Sequence, residues 1–300
     1  MHKALRLLRN RNFILFLALS LGLLWGDAAR WTEKVALPAL ALVMTLSTTG
    51  ISGRTLRSPR TLLIPVVGGV AMNYAVLGVF LLVLSTFLIQ DESLRNGFIL
   101  LATVPPAVAV IPFTGFLNGN STYSLVGTIG CYLGALVIMP LMALGLLGST
   151  SIEPAKLFII MVELIITPLV LSRILVRTGM ASRIESVKGL ITNWSFFLVS
   201  YTIVGLNRAI FLGQPLSLIP VALIAFASTF LLGFAIEKVT GMLRIESETI
   251  TSLVLLGTLK NYGLAGGLAL ALFSKRTAVP ATVSVIFMIV YIIWLGFKRR

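Results

Sequence analysis

Two charged side chains stand where a charge is costly. Lys260 lies in Leu255-Leu256-Gly257-Thr258-Leu259-Lys260-Asn261-Tyr262-Gly263-Leu264-Ala265-Gly266-Gly267, inside an apolar run long enough to cross a bilayer. Glu163 lies in Phe158-Ile159-Ile160-Met161-Val162-Glu163-Leu164-Ile165-Ile166. A charge in hydrocarbon costs about 2.5–3.5 kcal/mol on insertion scales, so such residues mark ion or substrate pathways. Every other Asp or Glu falls in a loop or at an expected helix end, which makes Glu163 and Lys260 a buried acid–base pair to test. Asn261, Thr258, Thr103 and Thr114 supply hydrogen bonds that could orient a ligand, while Asn118, Asn120 and Ser121 suit the cytoplasmic end. The only histidine is His2 and the only cysteine Cys131, so neither a catalytic triad, a metal cluster nor an internal disulfide is expected. With no nucleophile–base set, the expectation is a protein that is not an enzyme.

The elements that position these residues are apolar and interrupted. Hydrophobic residues make up 57% of the 300, and charged ones only 11%, about half the soluble average. With a mean hydropathy of +1.01, this composition belongs to an all-α, multi-pass membrane protein. Four glycines around Lys260 (257, 263, 266, 267) predict a helix that breaks there. Its counterpart is Leu100-Leu101-Ala102-Thr103-Val104-Pro105-Pro106, where two successive prolines must interrupt a span.

Spans of about 20 apolar residues are expected near 12–27, 35–50, 61–88, 97–117, 121–147, 155–176, 189–211, 216–236, 249–273 and 278–297. The net charge of +14 comes from basic residues scattered through short loops, which reads as topology rather than nucleic-acid binding. With the N-terminus inside, sixteen Lys and Arg fall on the cytoplasmic side and seven opposite, leaving Lys260 alone in a span. That asymmetry puts both termini in the cytoplasm and gives an even number of crossings of the plasma (inner) membrane. Met1-His2-Lys3-Ala4-Leu5-Arg6 has a signal-like charge, but no small-residue cleavage site follows, so a retained first helix is expected.

A shift of 155 positions lays Asp91 on Glu246, Leu100-Leu101 on Leu255-Leu256, Thr103 on Thr258 and Pro105-Pro106 on Lys260-Asn261. Five spans separate the copies, and that odd number inverts the second half. Paired broken spans in inverted halves are the sequence pointer to a secondary transporter's mid-membrane site.

These stretches resemble the bile acid:sodium symporter family, whose superfamily includes arsenite and auxin-efflux-type carriers. The first resemblance runs from Pro105-Pro106-Ala107-Val108-Ala109 through Gly119-Asn120-Ser121 to a helix with Pro140. The second runs from Glu246 through Lys260-Asn261-Tyr262-Gly263-Leu264-Ala265 to Pro280-Ala281. The resemblance implies ten helices in two inverted five-helix repeats, with helices 4 and 9 broken where they cross. It implies a panel domain at 1–60 and 151–215, a core domain at 61–150 and 216–300, and substrate between them. It also implies sodium ligands at positions that here hold Leu256, Lys260, Ile111 and Val110, and the three aliphatic side chains offer no oxygen. Arsenite efflux would need a cysteine in the first crossing, which has none.

The expected function is therefore secondary transport of a small organic anion by alternating access, sodium-independent or proton-linked, with no cofactor. Lys260 could replace sodium's charge, titrate, or form an inert bridge with Glu163. The alternatives are a proton-driven effluxer of a weak acid or amphipathic compound, and a non-transporting sensor or assembly subunit. Expected partners are the bilayer, the anion and, if Lys260 titrates, protons, with the chain a monomer or homodimer.

Overall fold

The computed structural model describes residues 10–50, 59–148, 155, 159, 162–213 and 215–299, and every regular element among them is helical. Helix α1 (Arg11–Leu24) starts where the Asn10 side chain accepts from the Phe13 amide. A short 3-10 turn, Gly26–Ala28, bends the chain by 94° into α2 (Ala29–Thr48). That corner is held against α8 (Met180–Gly213): Tyr201 donates to the Trp25 carbonyl at 2.7 Å, and Arg208 pairs with Asp27 at 3.2 Å. A Cβ on Gly26 would come within 2.8 Å of the Gly205 carbonyl oxygen, so the close approach needs glycine. The first two expected spans thus meet at a near right angle rather than as a simple hairpin.

Helix α3 runs from Pro59 to Val70, passes through a π-helical segment Ala71–Gly78, and resumes over Val79–Leu88. Asp91 then caps α4 (Glu92–Thr103) by accepting from the Leu94 amide at 2.9 Å. Helix α4 stops at Pro105-Pro106, and the chain restarts as the short α5 (Val110–Phe116). Helix α6 (Ser121–Leu147) follows, with α7 comprising a π-helical Val162–Ile166 and Thr167–Arg177. After α8, a 3-10 turn Pro215–Leu218 leads into α9. This helix is again interrupted by a π-helical segment, Ala227–Leu231, between Ile219–Phe226 and Leu232–Met242. Then come α10 (Ser247–Leu256), α11 (Tyr262–Leu272) and α12 (Val279–Lys298).

Helices α1, α2, α7 and α8 pack on one another, while α3–α6 and α9–α12 form a second group. The groups meet where α8 touches α11 and α12, α2 touches α11, and α1 touches α12. Large apolar side chains such as Phe87, Leu141, Phe234 and Phe297 lie on the outside, as in a protein solvated by lipid.

Ten uninterrupted spans are not what the described residues contain. Five helical stretches are long and apolar enough to cross a membrane alone: Leu62–Leu88, Ser121–Leu147, Met180–Ala209, Pro215–Met242 and Val279–Lys298. The bent α1–α2 pair makes a sixth if it counts as one span. The stretches expected at 97–117 and 249–273 are each two short helices, because proline and glycine remove helical continuity at their centres. Residues 156–158, 160 and 161 of the span expected at 155–176 lie outside the described residues, as do the loop residues Arg54 and Arg57.

Candidate crossing site

The two broken spans cross each other. After α4 the chain is extended at Val104, with ψ at 151°, and proline at 105 and 106 takes away two amide donors. After α10 the chain is likewise non-helical from Gly257 to Asn261. The two extended pieces pair antiparallel with Pro106 opposite Lys260. Ala107 N–H donates to the Leu259 carbonyl at 3.1 Å, and Asn261 N–H to the Pro105 carbonyl at 2.9 Å. Irregular backbone at membrane depth persists only where its polar groups find such partners. The pairing opposes residues 154 apart, one fewer than the shift suggested by sequence matching.

Lys260 is fully buried. Its Nζ donates to Asn73 Oδ1 at 2.8 Å, to the Ala102 carbonyl at 2.8 Å and to the Val104 carbonyl at 3.0 Å. An ammonium has three donors and no acceptor, so these three oxygens use all of them. Ala102 lies in the last turn of α4, where carbonyls lack helical partners and the dipole is negative, and Val104 is the extended residue just after it. The Tyr74 ring lies under the ammonium, 4.7 Å from Nζ to its centroid.

The expected pairing with Glu163 is not made. Glu163 sits in the π-helical start of α7, is exposed, and belongs to a helix that packs on α2 and α8 rather than on the crossing. An acid in an apolar run reads as buried, yet Glu163 is exposed on its helix. The ammonium is met instead by neutral oxygens and an aromatic face.

Asn261 is also bonded at both ends of its side-chain amide. Its Oδ1 caps α11 by accepting from the Leu264 amide at 3.0 Å, and its Nδ2 donates to the Tyr132 hydroxyl at 2.9 Å. Tyr132 in turn donates to the Pro106 carbonyl at 2.9 Å, tying α6 to both crossing strands. The three threonines expected to orient a ligand are buried, and each donates to a carbonyl three or four residues earlier. Thr103 donates to the Leu100 carbonyl, Thr258 to the Val254 carbonyl and Thr114 to the Val110 carbonyl, and the Thr114 hydroxyl also lies 2.7 Å from Ser124 Oγ on α6. Back-bonding of this kind satisfies a hydroxyl locally and leaves little to offer a ligand.

Asn118, Asn120 and Ser121 lie beyond the far end of α5 from the crossing. Asn118 is exposed, with φ at +53°, in the left-handed region that asparagine tolerates. Asn120 caps α6 through the Tyr123 amide at 2.9 Å, and its own amide donates to the Glu248 carbonyl at 2.9 Å. Ser121 is exposed in the first turn of α6. These residues join α6 to the start of α10 rather than line the crossing.

The open space lies on the other side of the crossing. A cavity of about 40 Å³ is bounded by Ala107, Val108, Ala109 and Gly263 on the crossing side and by Leu15, Leu40, Phe196 and Val199 of α1, α2 and α8. Lys260 borders this cavity, although its ammonium is turned away into the contacts with α3 and α4. A second space of about 150 Å³ shares Leu40, Val199, Ile203 and Gly263 with the first and continues between α2 and α11 to Glu33. The cavity walls are largely apolar, and Val108 and Ala109, just before α5, and Gly263, in the first turn of α11, line it. Among the described residues, no partner is found for the amides of Val108, Ala109 and Gly263. Unpaired amides at helix N-termini favour negative charge.

Leu256 and Val110 are fully buried and Ile111 is half-buried, and none brings an oxygen in its side chain. Among the described residues, no cluster of His, Cys, Asp or Glu could hold a metal ion. Three members of the site went unremarked in the sequence: Asn73, Tyr74 and Tyr132. Asn73-Tyr74 interrupts the apolar span at 61–88 with an amide, and that was the available signal. No known protein family matches this chain, and no curated protein matches it either.

Proposed function

We propose that this multi-pass membrane protein is a secondary transporter of a small organic anion, working by alternating access without sodium. The observation that carries this reading is the Lys260 ammonium on the open carbonyl end of α4, at a crossing of two broken helices. In transporters built from discontinuous helices, half-helix C-terminal carbonyls take the coupling cation and half-helix N-termini face the substrate anion. Here the carbonyl end already holds a cation that is part of the chain. On the opposite side, Val108, Ala109 and Gly263, whose amides have no partner among the described residues, border the apolar space between the two helical groups, where a carboxylate or sulfonate on an apolar body would bind.

The remaining features fit the same reading. The π-helical segments in α3 and α9 and the paired breaks in α4/α5 and α10/α11 are what two inverted repeats would give. The group α3–α6 with α9–α12 then acts as the core domain, and α1, α2, α7 and α8 as the panel against which it moves. This arrangement resembles that of the bile acid:sodium symporter family with its sodium site replaced. Lys and Arg counts orient both termini to the cytoplasm, so the Glu33 end of the cavity faces outward.

The test has two stages. A thermal-shift screen of carboxylates, sulfonates and steroid-like acids on the purified protein identifies a ligand through the stability it adds. Uptake of that ligand into proteoliposomes is then measured with sodium or with choline outside. Equal rates support the proposal, and accumulation driven by a sodium gradient overturns it.

A further inference from the structure

Lys260 does not find its oxygens by chance, because α3 departs from helical geometry to supply one of them. The segment Ala71–Gly78 is π-helical, and it brings Asn73, Tyr74 and Gly78 to one place around Nζ. Asn73 Oδ1 accepts at 2.8 Å, and the Tyr74 ring lies beneath. Gly78 leaves room for the end of α4, since a Cβ there would stand 3.2 Å from the Ala102 carbonyl oxygen and 4.0 Å from Nζ. Tyr74 is anchored by donating to the Cys131 carbonyl on α6 at 3.2 Å.

Asn73 is fully buried, and its Nδ2 has no hydrogen-bond partner. A buried amide left half-satisfied is unfavourable, and rotating it would place a donor against an ammonium. The orientation that leaves Nδ2 unpaired is the one that gives the cation its third acceptor. Oxygens at 2.8–3.0 Å on three sides match the lengths of N–H···O hydrogen bonds to an ammonium nitrogen.

We propose that Asn73 is the positioning residue of the crossing: with the Ala102 and Val104 carbonyls it completes a three-oxygen cage for one ammonium group, and α3 thereby holds the broken end of α4. This rests on the reading of Lys260 as a built-in cation, but it predicts a binding property that does not depend on transport. With the lysine shortened to alanine, the cage accepts free ammonium from solution.

The test is the thermal unfolding of the full chain in detergent, in ammonium chloride, sodium chloride or choline chloride at equal concentration. Lys260→Ala should melt below wild type in choline and regain several degrees in ammonium, because a ligand that binds only the folded state raises its stability. Lys260→Met, which refills the space with an apolar chain, should show no such gain. Asn73→Leu combined with Lys260→Ala should lose the response to ammonium. No response of Lys260→Ala to ammonium, an equal response to sodium, or an undiminished response in the double variant would overturn the cage. If Lys260→Ala does not fold, Asn73→Leu and Asn73→Asp in the presence of Lys260 decide the matter. Asp keeps an oxygen at the ammonium and should melt well above Leu, and a Leu variant as stable as wild type sinks the proposal. Sodium-driven uptake would remove the transport reading and leave these melting results standing.

Discussion

At the residue scale, the crossing is tied together by buried side chains that bridge its two strands. Tyr132 sits between the Asn261 amide and the Pro106 carbonyl. Tyr132→Phe keeps the ring and strands both partners, so it should cost about 1–3 kcal/mol, read from denaturation in detergent. Asn261→Ala removes the cap of α11 as well, for about a further 1 kcal/mol, while Asn261→Asp retains the cap through its carboxylate oxygen and should fall between the two. At the loop before α4, Asp91 is partly buried, which pushes its carboxyl up. The Leu94 amide, the Arg276 guanidinium at 2.8 Å and the Ser93 amide outweigh that and hold it below its usual 3.8. A carboxylate held low stabilises the fold above its unfolded value and loses that contribution as pH falls through its folded one. Wild type should therefore lose stability in acid below about pH 4 more steeply than Asp91→Asn, as followed by thermal melts across pH. The sequence exposed Lys260 because a charge in an apolar run is conspicuous. It misplaced Glu163 by the same logic, since which face of a helix looks outward is decided by partners far away in the chain.

At the element scale, the broken helices were legible and their partners were not. Pro105-Pro106 cannot continue a helix, and Gly257 with Gly263 weakens the other, so both interruptions follow from local chemistry. The bridge between Pro106 and Lys260, and the π-helical segment that delivers Asn73, depend on contacts between residues more than 150 positions apart. Thr103, Thr114 and Thr258 looked available as ligands because a sequence does not show that a hydroxyl is already spent on its own helix. The fit of the elements is close elsewhere too. A Cβ on Gly97 of α4 would lie 2.3 Å from the Thr277 carbonyl oxygen and 2.8 Å from Pro280. Backbone cannot yield as a flexible side chain can, so Gly97→Ala should destabilise by about 1–3 kcal/mol or more, measured as a lowered midpoint of unfolding. Gly189→Ala, with nothing near its Cβ, should be close to neutral in the same assay.

At the scale of the whole molecule, the apolar composition and interrupted spans lead to a membrane protein with two packed helical groups and a cavity where they meet. The cavity continues past Leu40 and Gly263 toward Glu33. A cysteine replacing Ala36 on that route should react with a membrane-impermeant maleimide added outside intact cells, whereas the buried Cys131 should not. In the transport mechanism proposed here, the positive charge at the crossing belongs to the chain and is needed for uptake. Lys260→Met tests it most directly, because methionine has similar length and no charge, and the folded fraction can be checked by size and melting. Uptake of the ligand from the thermal-shift screen into proteoliposomes should fall to background in this variant. Wild-type uptake by folded Lys260→Met would contradict the account.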